Sequence, residues 1–189
     1  MGTKTSTVGT VDIRVLYGIT DDQLYPDNHP ENLAIRGKSR EEWPATFSIA
    51  WDYSPQNFHR ALDGESASEF RADYTDVLIG EADLAEIDGE LHGISRRAKH
   101  ELWMTRQANV ARCILYWSNG HLITPPMLEV NMGKLVIVGG NHRMAVCRSA
   151  GIAKLPFLFS AEHREKLAAK LPSFSLVQLA DQHPQGIKR

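Results

Sequence analysis

The sequence predicts a mixed α+β fold, a sheet of both strand directions flanked by helices, and three observations point to it. Short runs rich in β-branched and aromatic residues recur at strand length: "DVLIG" from Asp76, "LVIV" from Leu135 and "KLPFLF" from Lys154. Stretches with helical spacing of apolar residues separate them, the clearest between Ser95 and Trp117. One pair of strands is joined by a four-residue turn, "NMGK", and the next by a helix, so the sheet mixes antiparallel and crossover neighbours. A chain of 189 residues with 42% apolar content suits a single domain with its own core. Within residues 1–189, residues 1–94 read as an irregular N-terminal extension with one or more strands, 95–171 as the core and 172–189 as a looser tail.

Each element has a local reason. Thr10 to Tyr17 alternates and reads as a strand. Gly18 to Pro55 is rich in turn residues, with a short strand expected at Ala45 to Trp51. Pro55 to Leu62 reads as a helix capped by Ser54, and Ala82 to Gly89 as a short acidic helix or a turn. The long helix is expected from Ser95, its cap, to Trp117, with Gly120 as a left-handed stop. "HLITPPMLEV" reads as extended, with an edge-type proline pair. After the glycine pair Gly139-Gly140, a helix is expected over Asn141 to Ala150, closed by Gly151. Ser160 is placed as the cap of a last helix running to about Leu171.

The formal net charge of -2 excludes a basic nucleic-acid coat, yet the charge is unevenly placed. Residues 63–90 carry ten acids against one base, Arg71, and residues 95–112 carry five bases against one acid, Glu101. Such a split can make one surface attractive to phosphates, or it can be two solvated faces. Cys113 and Cys147 stand in helical, apolar patterns with no CxxC and no metal spacing, as buried free thiols of a reducing compartment do. No apolar run has the length of a signal peptide or a membrane span. A cytoplasmic place is expected, with a peripheral position at the inner membrane as the variant. The four tryptophans are expected to be core anchors rather than base-stacking platforms.

The chemistry concentrates in "VGGNHR", Val138 to Arg143. A helix N-terminus offers unpaired amides and partial positive charge, and glycines before it let an anion approach. Arg143 adds a planar fork for phosphate oxygens, His142 can hold a phosphate or move a proton near neutral pH, and Asn141 can cap or orient. The bland alternative is a cap, a half-buried histidine and a surface ion pair.

The segment "PPMLEVNMGKLVIVGGNHRMAVCRSAGIAKLPFLF", Pro125 to Phe159, resembles the core of the ParB/sulfiredoxin superfamily over roughly a fifth of the chain. Gly140, His142, Arg143, Ala145, Ala150, Gly151, Leu155 and Pro156 fall on the family pattern. Sulfiredoxins carry a catalytic cysteine before the His-Arg pair; here that position is Asn141, which argues against sulfur chemistry. Partition proteins need a DNA reader after the nucleotide core, and only about thirty residues follow Phe159. A lone domain with GNHR and a long extension is similar to plasmid fertility-inhibition proteins of the Osa type. That resemblance implies a ParB/sulfiredoxin-like mixed sheet with a phosphate-binding strand-turn-helix. It also implies an ATPase and DNase that blocks DNA transfer through a type IV secretion system, with ATP, a divalent metal such as Mg and DNA as its ligands.

By the same resemblance, Gly139, Gly140, Asn141, His142 and Arg143 hold phosphate, and Arg143 and His142 are the catalytic candidates. Arg106, on the preceding helix with Asn109 three residues on, is a further phosphate candidate or part of a solvated face. "SRRAKH" offers Arg96, Arg97 and Lys99 to a DNA backbone, or forms a solvated cap. Glu129 and the acids from Glu81 to Glu90 are the carboxylates open to a hydrolytic role. The alternative to hydrolysis is a nucleotide-sensing module that docks on a secretion or partition protein. A small-molecule kinase is a third reading.

Overall fold

The structure, a computed structural model, describes residues 24–62, 65–95, 99–104 and 106–178. It is a five-stranded mixed sheet with helices on both faces. The helices are α1 (Pro30–Ile35), α2 (Ala67–Asp73), α3 (Leu84–Glu90), α4 (Gln107–Ser118), α5 (Asn141–Ala150) and α6 (Arg164–Lys170). The strands are β1 (Val77–Asp83), β2 (Met127–Asn131), β3 (Lys134–Gly139), β4 (Lys154–Ser160) and β5 (Ser175–Leu176), in the sheet order β3-β2-β4-β1-β5. β2 and β3 form the expected hairpin, β4 returns over α5 to lie parallel to β2, and β1 runs antiparallel to β4.

The main core lies between the sheet and α3, α4, α5 and α6. Trp117, Phe157, Ile87, Ile114, Met144 and Leu155 are fully enclosed there. These positions recur at helical spacing on α4 and alternate on β4, so both periodicities point their apolar side at one interface. The opposite face is covered by a smaller cluster: Phe58, Ala61, Leu62 and Phe70 pack on Ile79, Met127 and Leu158. Trp43 and Trp117 are buried, and Trp51 and Trp103 pack against the core, so all four act as anchors. Cys147 is buried, whereas Cys113 is half-buried.

Several elements differ from expectation, each for a tertiary reason. The helix expected from Ser95 begins at Gln107. Ahead of it, residues Lys99–Met104 form a 3-10 turn that buries Leu102 and lets the Trp103 indole donate to the Lys38 carbonyl at 2.9 Å. Arg106 is the N-cap and has an extended backbone, φ -61 and ψ 94, with no side-chain cap. Residues 45–50 form no strand. Only Trp51 bridges to Ile123, because edge-to-face contacts of Phe47 with Trp43 and Trp117 direct that segment. Pro55–Ala61 is a 3-10 helix rather than an α-helix.

Asp76 to Gly80 grows into β1 to Asp83, because β4 offers seven partners in register. The proline pair is not at an edge. β2 starts after it, between β3 and β4, and the Pro126 carbonyl accepts from the Leu158 amide at 2.8 Å. Ser160 precedes a 3-10 turn, Ala161–His163, without capping it, and α6 starts at Arg164. The tail contributes β5, held by Phe174 against Phe157 and Phe159. The expected strand at 10–17 lies outside the described residues.

Four of the five acids of β1 and α3 have side-chain partners. Asp88 takes a two-pronged pair from the buried Arg148, at 2.6 and 2.9 Å. Glu90 meets Lys170 at 3.1 Å and Lys134 at 3.8 Å, Glu81 meets Lys154 at 3.6 Å, and Glu86 accepts from the Ser173 hydroxyl at 2.6 Å. The part of the acidic run at residues 81–90 thus supplies four ties to the C-terminal half.

Candidate functional site

The strand-turn-helix forms where the sequence places it. β3 ends at Gly139, Gly140 takes the left-handed conformation (φ 90, ψ 23) as N-cap of α5, and Gly151 (φ 71) ends that helix. A β-branched or bulky residue would be strained at either left-handed position. The first helical bond runs from the Met144 amide to the Gly140 carbonyl at 3.0 Å.

Both glycines are also needed for close packing. A Cβ on Gly139 would stand 2.2 Å from the Ala61 carbonyl oxygen and 2.8 Å from the Leu62 Cδ2. A Cβ on Gly140 would stand 2.7 Å from the Pro126 Cβ. The backbone that approaches Gly139 is thus the end of the Pro55–Ala61 segment. Arg143 seals this contact: its guanidinium donates to the Ala61 carbonyl at 3.3 Å and to the Arg60 carbonyl at 2.5 Å. It binds the last carbonyls of a 3-10 helix, groups that have no partner inside that helix.

The first turn of α5 keeps the properties of an anion site. It contains no acid, its N-cap has no side chain, Asn141 is exposed and His142 is half-buried. One turn on, burial pushes the Cys147 thiol far up. The nearby Cys113 adds to this, and the charges of Arg148 and Arg143 oppose it without winning. Cys147 is therefore a core side chain and not a nucleophile.

The other sequence candidates are less well joined to this turn. Arg106 is exposed at the start of α4, a helix that packs against α5. Its carbonyl accepts the Asn109 amide at 3.0 Å. Arg96 and Arg97 lie outside the described residues, and Lys99 opens the 3-10 turn before α4. Glu129 is on β2, on the face covered by α2, where its charge acts on the Tyr74 phenol. Burial and then the Glu129 charge push that phenol up to about 12. Burial and then the Glu81 charge also raise Tyr53.

Among the described residues, no group of three or more His, Cys, Asp or Glu is placed to hold a metal ion. Among the candidate acids, Asp88 is tied to Arg148, Glu90 to Lys170, Glu81 to Lys154 and Glu86 to Ser173. The wall of the site, made by the Arg60 and Ala61 carbonyls and by Pro126, could not be read from sequence. Its parts are separated by tens of residues and carry no side-chain signature. Compared with known protein families, with curated proteins and with solved structures, the chain matches none of them.

Proposed function

We propose that the first turn of α5 holds a phosphate of ATP or of DNA. We further propose that the protein is a phosphohydrolase, an ATPase and DNase, that blocks DNA transfer through a type IV secretion system. The observation that carries the phosphate reading is the start of α5, a ten-residue helix whose first turn has no acid and no side-chain cap and bears His142 and Arg143. The helix dipole and the Arg143 guanidinium favour an anion there. The resemblance of Pro125 to Phe159 to the ParB/sulfiredoxin superfamily supplies the biological role.

In this reading the amides of the turn and the exposed Asn141 orient the phosphate, and His142 moves a proton. Arg143 contributes charge while it holds the Arg60 and Ala61 carbonyls, which keeps the turn in place. A divalent metal such as Mg would accompany the nucleotide and would supply charge stabilisation at its phosphates.

Calorimetric titration with Mg-ATP, run beside phosphate-release and plasmid-degradation assays, tests the proposal. Wild type is expected to bind and turn over. Asn141→Asp adds a charge that suits a helix N-terminus but repels phosphate, so it should weaken binding by roughly tenfold or more without loss of stability. His142→Ala should slow turnover by about a hundredfold or more. Arg143→Ala should lose binding together with stability, since it also releases the 55–61 segment. A folded wild type that binds neither ATP nor DNA would overturn the proposal.

A second reading has its own observation. Four of the five candidate acids from Glu81 to Glu90 are engaged in ion pairs or hydrogen bonds elsewhere, which favours a module that binds nucleotide without hydrolysis and docks on a secretion or partition protein. Saturable binding with no phosphate release and intact DNA selects that reading.

A further inference from the structure

The turn between β2 and β3 contains a residue that backbone geometry disfavours. Met132 has φ 47 and Gly133 φ 74, and Met132 is the only non-glycine with positive φ among the described residues. Asn, Asp or Gly normally fill the first position of such a two-residue turn. The register explains how Met132 comes to be there. Val130 pairs with Leu135 and Asn131 with Lys134, and a one-residue slip that moved Asn131 into the turn would turn the buried Leu128 and Leu135 away from the core. The register does not explain why the side chain is methionine. It packs on nothing, being 99% exposed.

Beside Met132 lies a groove of about 470 Å³, walled by Val130, Gly133, Ala169 and the side chains of Lys166 and Lys170. Lys134 stands at the neighbouring hairpin position. Lys134 and Lys170 share one carboxylate, Glu90, at 3.8 and 3.1 Å, and the exposed Lys166 adds a third ammonium to the rim of the groove. A large, strained, fully exposed apolar side chain beside a groove with a cationic rim is the arrangement of an interaction anchor.

We propose that this hairpin tip and α6 form a docking surface for an acidic amphipathic segment of a protein partner. The partner's apolar side chains enter the groove against Met132, and its carboxylates meet Lys134, Lys166 and Lys170. The net positive rim selects the sign of the partner and disfavours a second copy of the same patch. The concave groove needs an apolar side chain to fill it, which favours a peptide over a bilayer surface. The surface is independent of the phosphate turn: β2 separates them, five residues or about 17 Å of strand.

The test uses the full chain with methionine methyl groups labelled for NMR. Its probes are a synthetic helical peptide of leucine and glutamate and its counterpart of leucine and lysine. The glutamate peptide should shift the Met132 methyl signal saturably, and the lysine peptide should leave it in place. Binding of the glutamate peptide, followed by calorimetry, should weaken roughly tenfold in Lys166→Glu and in Met132→Asn. Both positions are exposed, so both variants fold, and Met132→Asn should melt at a higher temperature because the turn strain is relieved.

Equal response to both peptides, or to neither, would overturn the proposal. So would a Met132 signal that moves only with phosphatidylglycerol vesicles, which would mean a membrane surface. A signal that moves only as the protein's own concentration rises would mean self-association, and overturns it too.

Discussion

At the scale of single residues, Gly139 shows how sterics overrule entropy. Its backbone is not in the left-handed region, so alanine would ordinarily gain about 0.4–1 kcal/mol by restricting the unfolded chain. Here the new Cβ meets a backbone carbonyl oxygen at 2.2 Å, which cannot swing aside as a side-chain end would. Shifting that carbonyl also loosens both bonds from Arg143. Gly139→Ala should therefore lower unfolding stability by about 1–3 kcal/mol in urea titration; unchanged stability would mean the Ala61 contact is not held in solution. Tyr74 gives a second residue-scale prediction. Between pH 10 and its raised value of about 12, the unfolded chain has lost this proton while the folded chain keeps it. The unfolded state then binds fewer protons, so stability falls as pH rises through that window. Ultraviolet titration should show a late phenolate step, and Glu129→Gln should move it toward 10 because the Glu129 charge that helps raise it is removed.

At the scale of elements, α3 and α5 are joined by Asp88 and Arg148. The Arg148 side chain is only 5% exposed and Asp88 meets it through both oxygens. Removing the carboxylate strands a buried cation. Asp88→Asn should cost about 3 kcal/mol, whereas Asp88→Leu combined with Arg148→Met, which removes both charges, should cost much less. Equal costs for the two variants would show that the pair contributes packing and not charge compensation. Elements also show what local signals can and cannot tell. α5 runs from Asn141 to Ala150 with Gly151 as its stop, as read from sequence, because its punctuation is local: two glycines in left-handed conformations at its ends. The start of α4 was not legible, because Arg106 has no capping side chain and the turn before it is held by a bond from Trp103 to Lys38, sixty-five residues away in sequence.

At the scale of the whole molecule, the sheet separates two surfaces. The start of α5 lies at one end of β2, where Gly139 pairs with Met127, and the hairpin tip with Met132 lies at the other. Part of the uneven charge in the sequence is paired between them. The acids of β1 and α3 pair with Lys154, Arg148, Lys134 and Lys170, drawn from β4, α5, β3 and α6. The part at residues 81–90 of a run that reads as an acidic face thus helps bind the two halves of the chain. No helix among the described residues is long and apolar enough to cross a membrane.

What the sequence by itself determined is the set of features with local causes. These are the mixed α+β class, the hairpin, the crossover through α5, the glycine stops and the position of the Asn141-His142-Arg143 turn. Periodicity and turn chemistry act over a few residues, so they can be read without the fold. Only the tertiary structure decided what meets that turn: the Arg60 and Ala61 carbonyls on Arg143, Ala61 against Gly139 and Pro126 against Gly140. It also decided that Glu81, Glu86, Asp88 and Glu90 have partners of their own. Those contacts join residues up to 83 positions apart, and their cost or gain depends on shapes that form only when the sheet closes.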